Sequence, residues 1–352
     1  MSRWLLPLTI PASWAYRAAI AWRNRRYDAA RAAPTSVGIA RIDRPVISVG
    51  NLTAGGTGKT PHVMWIVEQL LESGHKPVIA MRGYKAPSGR PGDEEQEYRD
   101  RFDDSVPVLA QPRRARALRE FFARHENTTF DCVILDDGFQ HRQVARDLDL
   151  VLIDATQPTF TDRLLPAGRL REPLASLRRA DAVIVTRAAD IDPVIAGRIE
   201  RHHGRPPLAW TNHGWSGLTV HAAAGADDVP LDWLRGRRLV TMFGVGNPNP
   251  LRQAARQAGA VILRDVPVAD HQSYDRPMLD RIRPMLTGAE GLLISPKDWV
   301  KLREVVTSWA WPMPIIVPVV RLAVVAGEAD LKRSILQAAA RRHTVTPTSA
   351  DT

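Results

Sequence analysis

The sequence predicts an α/β protein, with a doubly wound, mainly parallel sheet and a second, smaller α/β domain. Three observations carry that expectation. Short continuous apolar runs recur at residues 46–49, 77–81, 132–135, 150–153 and 182–185. They lack in–out alternation, as strands covered on both faces do. Segments of helical character, 59–73 and 113–125, lie between them, and such alternation feeds a parallel sheet.

Taken in order, residues 46–49 form the first strand, 50–58 a turn rich in glycine, and 59–73 a helix that Gly74 ends. The runs at 77–81, 132–135, 150–153 and 182–185 supply the next strands. A new strand-to-turn unit starts at 238–243 and runs into Gly244-Val245-Gly246-Asn247-Pro248, and 292–295 and 315–320 add further strands. Between the two sets the chain is mixed and is punctuated by Pro206, Pro207, Gly214 and Gly217. The expected division is therefore an N-terminal helix at 1–30, a first domain at 31–210, a second at 211–341 and a polar tail at 342–352.

Bulk composition narrows the function classes. With 44% hydrophobic and 24% charged residues the chain is globular. A single cysteine, Cys132, excludes an intrachain disulfide framework and an all-cysteine zinc site. The excess of 48 Lys+Arg over 38 Asp+Glu gives +10, which points to an anionic partner. Nucleic acid, phospholipid headgroups and a phosphorylated substrate would each fit. No zinc-finger spacing, recognition-helix signature or RNA-binding motif is present, so nucleic acid is not an expected partner.

No run of 18 or more apolar residues exists. Residues 4–27 nevertheless carry Trp4, Leu5, Leu6, Leu8, Ile10, Trp14, Tyr16, Ile20, Trp22 and Tyr27 and close on Arg23, Arg25 and Arg26. A signal peptide would place its charge first. After Pro11, residues Trp14, Ala18, Ala21 and Trp22 share one helical face. Such a helix can lie in the headgroup layer of an anionic membrane. An amphipathic helix packed on its own domain accounts for the same pattern.

The strongest motif is Thr53-Ala54-Gly55-Gly56-Thr57-Gly58-Lys59-Thr60, a phosphate-binding loop in which Thr53 replaces the usual first glycine. A strand precedes it and a helix follows, so the fold expected is P-loop NTPase-like. Backbone amides of the loop would wrap phosphate oxygens, Lys59 would reach the β- and γ-phosphates, and Thr60 would ligate Mg²⁺. ATP and Mg²⁺ are the cofactors this implies. Asp136-Asp137-Gly138 ends the 132–135 strand, where this fold presents its metal-organising carboxylate.

Two further groups bear on chemistry. Gly92-Asp93-Glu94-Glu95 is expected in a loop before a basic helix, and Asp270-His271 lies far along the chain. An Asp–His combination could activate an acceptor hydroxyl. Arg163, Arg169, Arg171, Arg178 and Arg179 surround Pro166-Ala167-Gly168. Guanidinium forks suit phosphate, and an exposed basic helix is the plain alternative.

Together these motifs resemble the tetraacyldisaccharide 4′-kinase family, the lipid A 4′-kinases of Gram-negative bacteria. The resemblance runs from Val49-Gly50-Asn51-Leu52-Thr53 through Gly55-Gly56-Thr57-Gly58-Lys59-Thr60-Pro61, Arg82-Gly83-Tyr84 and Gly92-Asp93-Glu94. It continues with Asp136-Asp137-Gly138-Phe139-Gln140-His141, Leu164-Leu165-Pro166-Ala167-Gly168 and Arg171-Glu172-Pro173-Leu174. In the second domain, Gly244-Val245-Gly246-Asn247-Pro248, Asp270-His271 and Lys297-Asp298 complete it.

The resemblance implies ATP-dependent phosphorylation of the 4′-hydroxyl of a lipid A disaccharide 1-phosphate. It also implies a site at the cytoplasmic face of the inner membrane, with the N-terminal helix on an anionic surface. By motif position, Asp93, His271, Lys59 and Asp137 are the catalytic candidates. Thr60, Asp136 and Glu172 would organise the metal, Thr53 to Thr60 would hold ATP, and Asn51 and Arg171 would contact substrate. The expected form is a monomer. Two departures bear on acceptor fit: Glu95-Gln96-Glu97 follows Asp93-Glu94, and His271 leads into Gln272-Ser273-Tyr274 where the family has His-His-Pro-Tyr. The competing class is a P-loop NTPase acting as a switch or metal-delivery factor, since Val185-Thr186-Arg187-Ala188-Ala189-Asp190 faintly resembles a guanine-reading segment.

Overall fold

A computed structural model of the chain describes residues 6–32, 38–83, 91–125, 129–157, 159–269, 273–307 and 311–341. The 342–352 tail and Asp270, His271 and Gln272 lie outside the described residues. The chain forms two compact units. One holds Met1–His213 and Leu322–Thr352, the other Gly214–Arg321.

The first unit opens with helix α1 (Leu6–Ala32), followed by β1 (Val46–Asn51), α2 (Lys59–Glu72), β2 (Pro77–Met81) and α3 (Asp93–Phe102). Then come β3 (Val108–Ala110), α4 (Arg114–Arg124), β4 (Cys132–Asp136), β5 (Leu148–Asp154), β6 (Ala182–Thr186), α5 (Pro193–His203) and the start of β7 (Ala209–Ala222). Strand order is β7-β6-β5-β1-β4-β2-β3, and every pairing among them is parallel. Each residue of β1, β2, β4, β5 and β6 is buried, which is why their sequences read as unbroken apolar runs. Ile47 and Val49 face one layer with Val63, Ile66 and Leu70 of α2. Val46 lies in another layer with Leu118 and Phe122 of α4. That alternation follows from the period of two along a strand.

In the second unit, the rest of β7 pairs antiparallel with β8 (Gly225–Val229). Next are β9 (Arg238–Met242), α6 (Asn249–Gln257), β10 (Val261–Val266), α7 (Arg276–Ile282), β11 (Gly291–Ile294), α8 (Pro296–Thr307) and β12 (Ile315–Ala326). β9 lies between β10 and β11, and β11 pairs with β12, all in parallel. Val240 and Met242 enter one core with Leu279 and Leu302, while Leu239 enters another with Leu234 and Ala255.

The sequence assigns 211–341 to the second domain, whereas residues from Leu322 onward belong to the first unit. The cause is α9 (Glu328–Ala339), whose Leu331, Ile335, Ala338 and Ala339 share a core with Leu70 of α2 and Ile47 of β1. The stretch read as mixed, 190–236, contains α5, β7 and β8. Asp93, expected in a loop, is the first residue of α3, where Asp93, Glu94 and Glu95 meet the positive end of the helix dipole.

Candidate active site

The loop from Thr53 to Thr60 leaves the carboxyl end of β1 and enters α2. Gly55 and Gly58 hold φ of 115° and 82°, a region glycine enters freely and side-chain-bearing residues rarely do. The first limb is tied down by another segment. Thr53 bridges Leu170, the amide of Ala54 donates to Arg169 O at 2.7 Å, and the amide of Arg171 donates to Leu52 O at 2.7 Å. Ala54, Gly55 and Gly56 form the outer edge, with Gly55 and Gly56 exposed, while Thr53, Thr57 and Thr60 are buried.

Lys59 points back across the loop. Its Nζ lies 3.4 Å from Asn51 Oδ1 and 3.5 Å from Asp137 Oδ1. Asn51 Nδ2 in turn donates to Thr53 O at 2.9 Å. Asp137, just past β4 with φ of 49°, also accepts from Arg171 Nη1 at 3.0 and 2.8 Å. Burial pushes its carboxyl up, but Lys59, Arg171 and Arg114 outweigh that and hold it below the usual carboxylate range. The structure therefore joins Asn51, Lys59, Asp137 and Arg171 in one charged cluster.

Asp136 behaves differently. It is the last residue of β4 and is buried. Oδ2 accepts from Tyr98 at 3.3 Å, whereas Oδ1 has no hydrogen-bond partner among the described residues. Burial first, then Glu94, raises its pKa to about 6, against the pull of Lys59. Tyr98 of α3 also hydrogen bonds Thr60, so one hydroxyl links two of the three residues expected to meet the metal. Gln140 donates from Nε2 to Asn51 O at 2.8 Å, and its Oε1 likewise lacks a partner. Arg114 donates from Nη1 to the carbonyls of Asp136 at 2.7 Å and Asp137 at 3.1 Å, which fixes the strand end.

Glu172 is placed against α1. Its carboxylate, fully buried, accepts from Arg23 Nη2 at 3.0 Å, Asn24 Nδ2 at 2.9 Å and Arg179 Nη1 at 2.8 Å. Around it, Tyr16 donates to Arg171 O at 2.9 Å and Ser13 to Leu164 O at 3.2 Å. The inner face of α1 is thus Ser13, Tyr16, Ile20, Arg23 and Asn24. Trp14 and Trp22 are 69% and 62% exposed on the other side. Arg169 bonds Asp162 and Gln157, while Arg163 and Arg178 are exposed.

In the second unit, Asp298 gathers three of the motifs. Its oxygens accept from the amide of Gly244 at 3.2 and 3.1 Å, from Tyr274 at 2.6 Å and from Ser295 Oγ at 2.5 Å. A Cβ at Gly244 would lie 2.5 Å from that carboxylate. The brace holds Tyr274, three positions after His271, and His271 itself is outside the described residues.

The motifs in these two frameworks match known proteins over almost the whole chain. The model of the tetraacyldisaccharide-1-P 4′-kinase family matches residues 3–340. The chain belongs to this family. A tetraacyldisaccharide 4′-kinase of Geobacter sulfurreducens is 34% identical over 75% of this chain and 76% of its own length. One from Anaeromyxobacter dehalogenans is 32% identical over 92% of this chain and 87% of its own. The solved structure of LpxK from Aquifex aeolicus in complex with ATP is 28% identical, with a TM-score of 0.71, over 94% of this chain and 98% of that one.

Several residues of this 4′-kinase family member stand beside the cluster or, for His62, against Gly58 O of its loop, without having been singled out in sequence: Tyr98, Arg114, Gln140 and His62. Tyr98 and Phe102 are the buried residues of an otherwise charged helix, four apart on one face. That spacing was the available signal for Tyr98. Gln140 sits inside the matched Asp136–His141 block and signals itself only through family position. Nothing in the local sequence marks Arg114 or His62.

Proposed function

We propose that this chain transfers the γ-phosphoryl group of ATP to the 4′-hydroxyl of a tetraacyldisaccharide 1-phosphate, with Mg²⁺ as cofactor. The observation that carries the reading is the junction of Lys59, Asp137 and the unsatisfied oxygen of Asp136 behind the glycine loop. The donors there, Asp136, Thr60 and Gln140, are all oxygens, the set that a hard divalent cation takes. A carboxyl held up to about 6 by burial would be kept ionised beside such a cation. When bound, Mg²⁺ would neutralise charge developing between the β- and γ-phosphates.

The chain's own residues do the rest. Gly55 to Thr60 present main-chain amides to the phosphates, and Lys59 moves from Asp137 to the β- and γ-oxygens. Asp137 and Arg171 keep that lysine and each other in place until the nucleotide enters. By motif position Asp93 and His271 are each candidates to take the proton of the acceptor hydroxyl, a role usually contributing 10²–10⁴-fold. Glu172 acts as the anchor of α1, because three donors already fill its carboxylate.

Among the described residues no helix is long and apolar enough to cross a membrane. We place α1 on the cytoplasmic face of the inner membrane, with Trp14 and Trp22 in the headgroup layer, because its polar face is already used against the first unit. The protein acts there as a monomer on a lipid A disaccharide precursor. The test is label transfer from [γ-³²P]ATP to that acceptor in mixed micelles. Wild type should label the lipid, and Lys59→Ala should reduce transfer by about 10²-fold or more. Labelling of protein or water alone would reject the assignment.

A further inference from the structure

His62, on the first turn of α2, is buried and contacts the phosphate loop from behind. Its Nδ1 lies 2.7 Å from Gly58 O, and its Nε2 lies 2.9 Å from Thr211 Oγ1 at the start of β7. A carbonyl only accepts, so Nδ1 carries the proton. The neutral ring then offers Nε2 as an acceptor to the Thr211 hydroxyl, whose single proton also serves Val185 O at 3.1 Å. One loop position earlier, Thr186 at the end of β6 donates from Oγ1 to Thr57 O at 3.1 Å. His213 closes the far side, filling the space that a Cβ at Gly58 would need, with its ring 5.4 Å from that of His62.

The peptide unit is planar and trans, so its C=O and N–H point in opposite directions. The carbonyl of Thr57 shares a plane with the amide of Gly58, and the carbonyl of Gly58 with the amide of Lys59. Holding both carbonyls from behind therefore aims both amides forward, where a phosphate oxygen would lie. Donors fixed in advance need no reorganisation when charge arrives. We infer that His62 is a positioning residue for phosphoryl transfer: through Gly58 O it presets the Lys59 amide, with Thr186 doing the same for the Gly58 amide. The inference rests on the phosphate-loop reading.

The experiment compares His62→Leu, His62→Asn and Thr186→Val in the full chain in detergent, measuring ATP affinity by calorimetry and KM for ATP and acceptor. An asparagine amide nitrogen can take the place of Nδ1, and leucine cannot. His62→Leu should weaken ATP binding and raise KM for ATP about tenfold, the worth of one hydrogen bond to a charged ligand. KM for the acceptor should stay constant, and His62→Asn should recover affinity to within about twofold. Equal affinity in His62→Leu and wild type, or equal loss in the leucine and asparagine variants, would overturn the proposal. If His62→Leu does not fold, Thr186→Val decides by the same readout. Lys59→Ala separates the two levels. If it lowers ATP affinity while the His62 variants do not, only the positioning role fails. If it leaves affinity intact, the loop reading and the proposal fall together.

Discussion

Asp136 and Asp298 are both buried aspartates beside the carboxyl end of a parallel strand, and they are satisfied very differently. Asp298 is 1% exposed, and both its oxygens are occupied by Gly244, Tyr274 and Ser295. Asp136 is 2% exposed, and one oxygen is left without a partner among the described residues. A buried carboxylate with every acceptor filled is a brace. One with capacity to spare costs stability unless a ligand supplies the missing contact. Burial alone would not have told the two apart, and neither would their family motifs, since both lie in matched blocks.

The contrast breaks most readily by exchanging each carboxylate for its amide. Asp136→Asn should lower kcat about 10²–10³-fold, as loss of a preorganised electrostatic contact does, with the melting temperature unchanged or raised. Asp298→Asn should reverse the pattern. Placing an NH₂ against the Gly244, Tyr274 and Ser295 donors should reduce unfolding free energy by about 3 kcal/mol, read by urea titration. A loss of stability in Asp136→Asn as large as in Asp298→Asn would erase the distinction.

A smaller effect sharpens the same comparison at α1, where one face is filled and the other is not. Trp14→Ala with Trp22→Ala should leave the melting temperature in place, since both rings are exposed. Binding to vesicles containing anionic lipid should fall roughly tenfold per ring, from about 1.5 kcal/mol of lost apolar burial each. Unchanged vesicle binding would mean that this face has another use.

A further effect is on acid stability. Burial lowers the pKa of His62 to about 3 and of His141 and His213 to about 4, from an ordinary 6.5. The unfolded chain therefore takes up protons before the folded one does. The stability these histidines contribute is complete above about pH 6.5 and declines as pH falls toward 4. Replacing His141 and His213 together by Gln should flatten that decline in thermal melts taken between pH 7 and 4.5. An unaltered slope would assign the loss to carboxylates instead.

Much of this was legible in sequence because single local signals carried it. The runs behind β1, β2, β4, β5 and β6 are apolar throughout because each strand is covered on both faces, and the loop at Thr53–Thr60 announces itself by glycine spacing. What was hidden depends on partners distant in the chain. β7 falls in the stretch that reads as mixed because it changes character midway, buried at Ala209–Thr211 and then alternating around Gly214 and Gly217. The start of α3, Asp93-Glu94-Glu95, reads as loop because eight of the helix's ten residues, Asp93-Glu94-Glu95-Gln96-Glu97 and Arg99-Asp100-Arg101, are polar. Glu172 was grouped with the metal candidates by motif position, and its bonds to Arg23 and Asn24 span about 150 residues. The grouping of Asn51, Lys59, Asp137 and Arg171 in space is likewise a property of strand order that no local pattern states.

The most direct test of the central claim is the binding of Mn²⁺, as a paramagnetic substitute for Mg²⁺, to protein with saturating ATP, followed by the electron-spin signal of free Mn²⁺. Wild type and Asp298→Asn should sequester the ion equally, and Asp136→Asn should lose about tenfold or more in affinity, the scale of one charged oxygen contact. Equal Mn²⁺ affinity in Asp136→Asn and wild type would contradict the account, because the open oxygen at the end of β4 would then hold nothing.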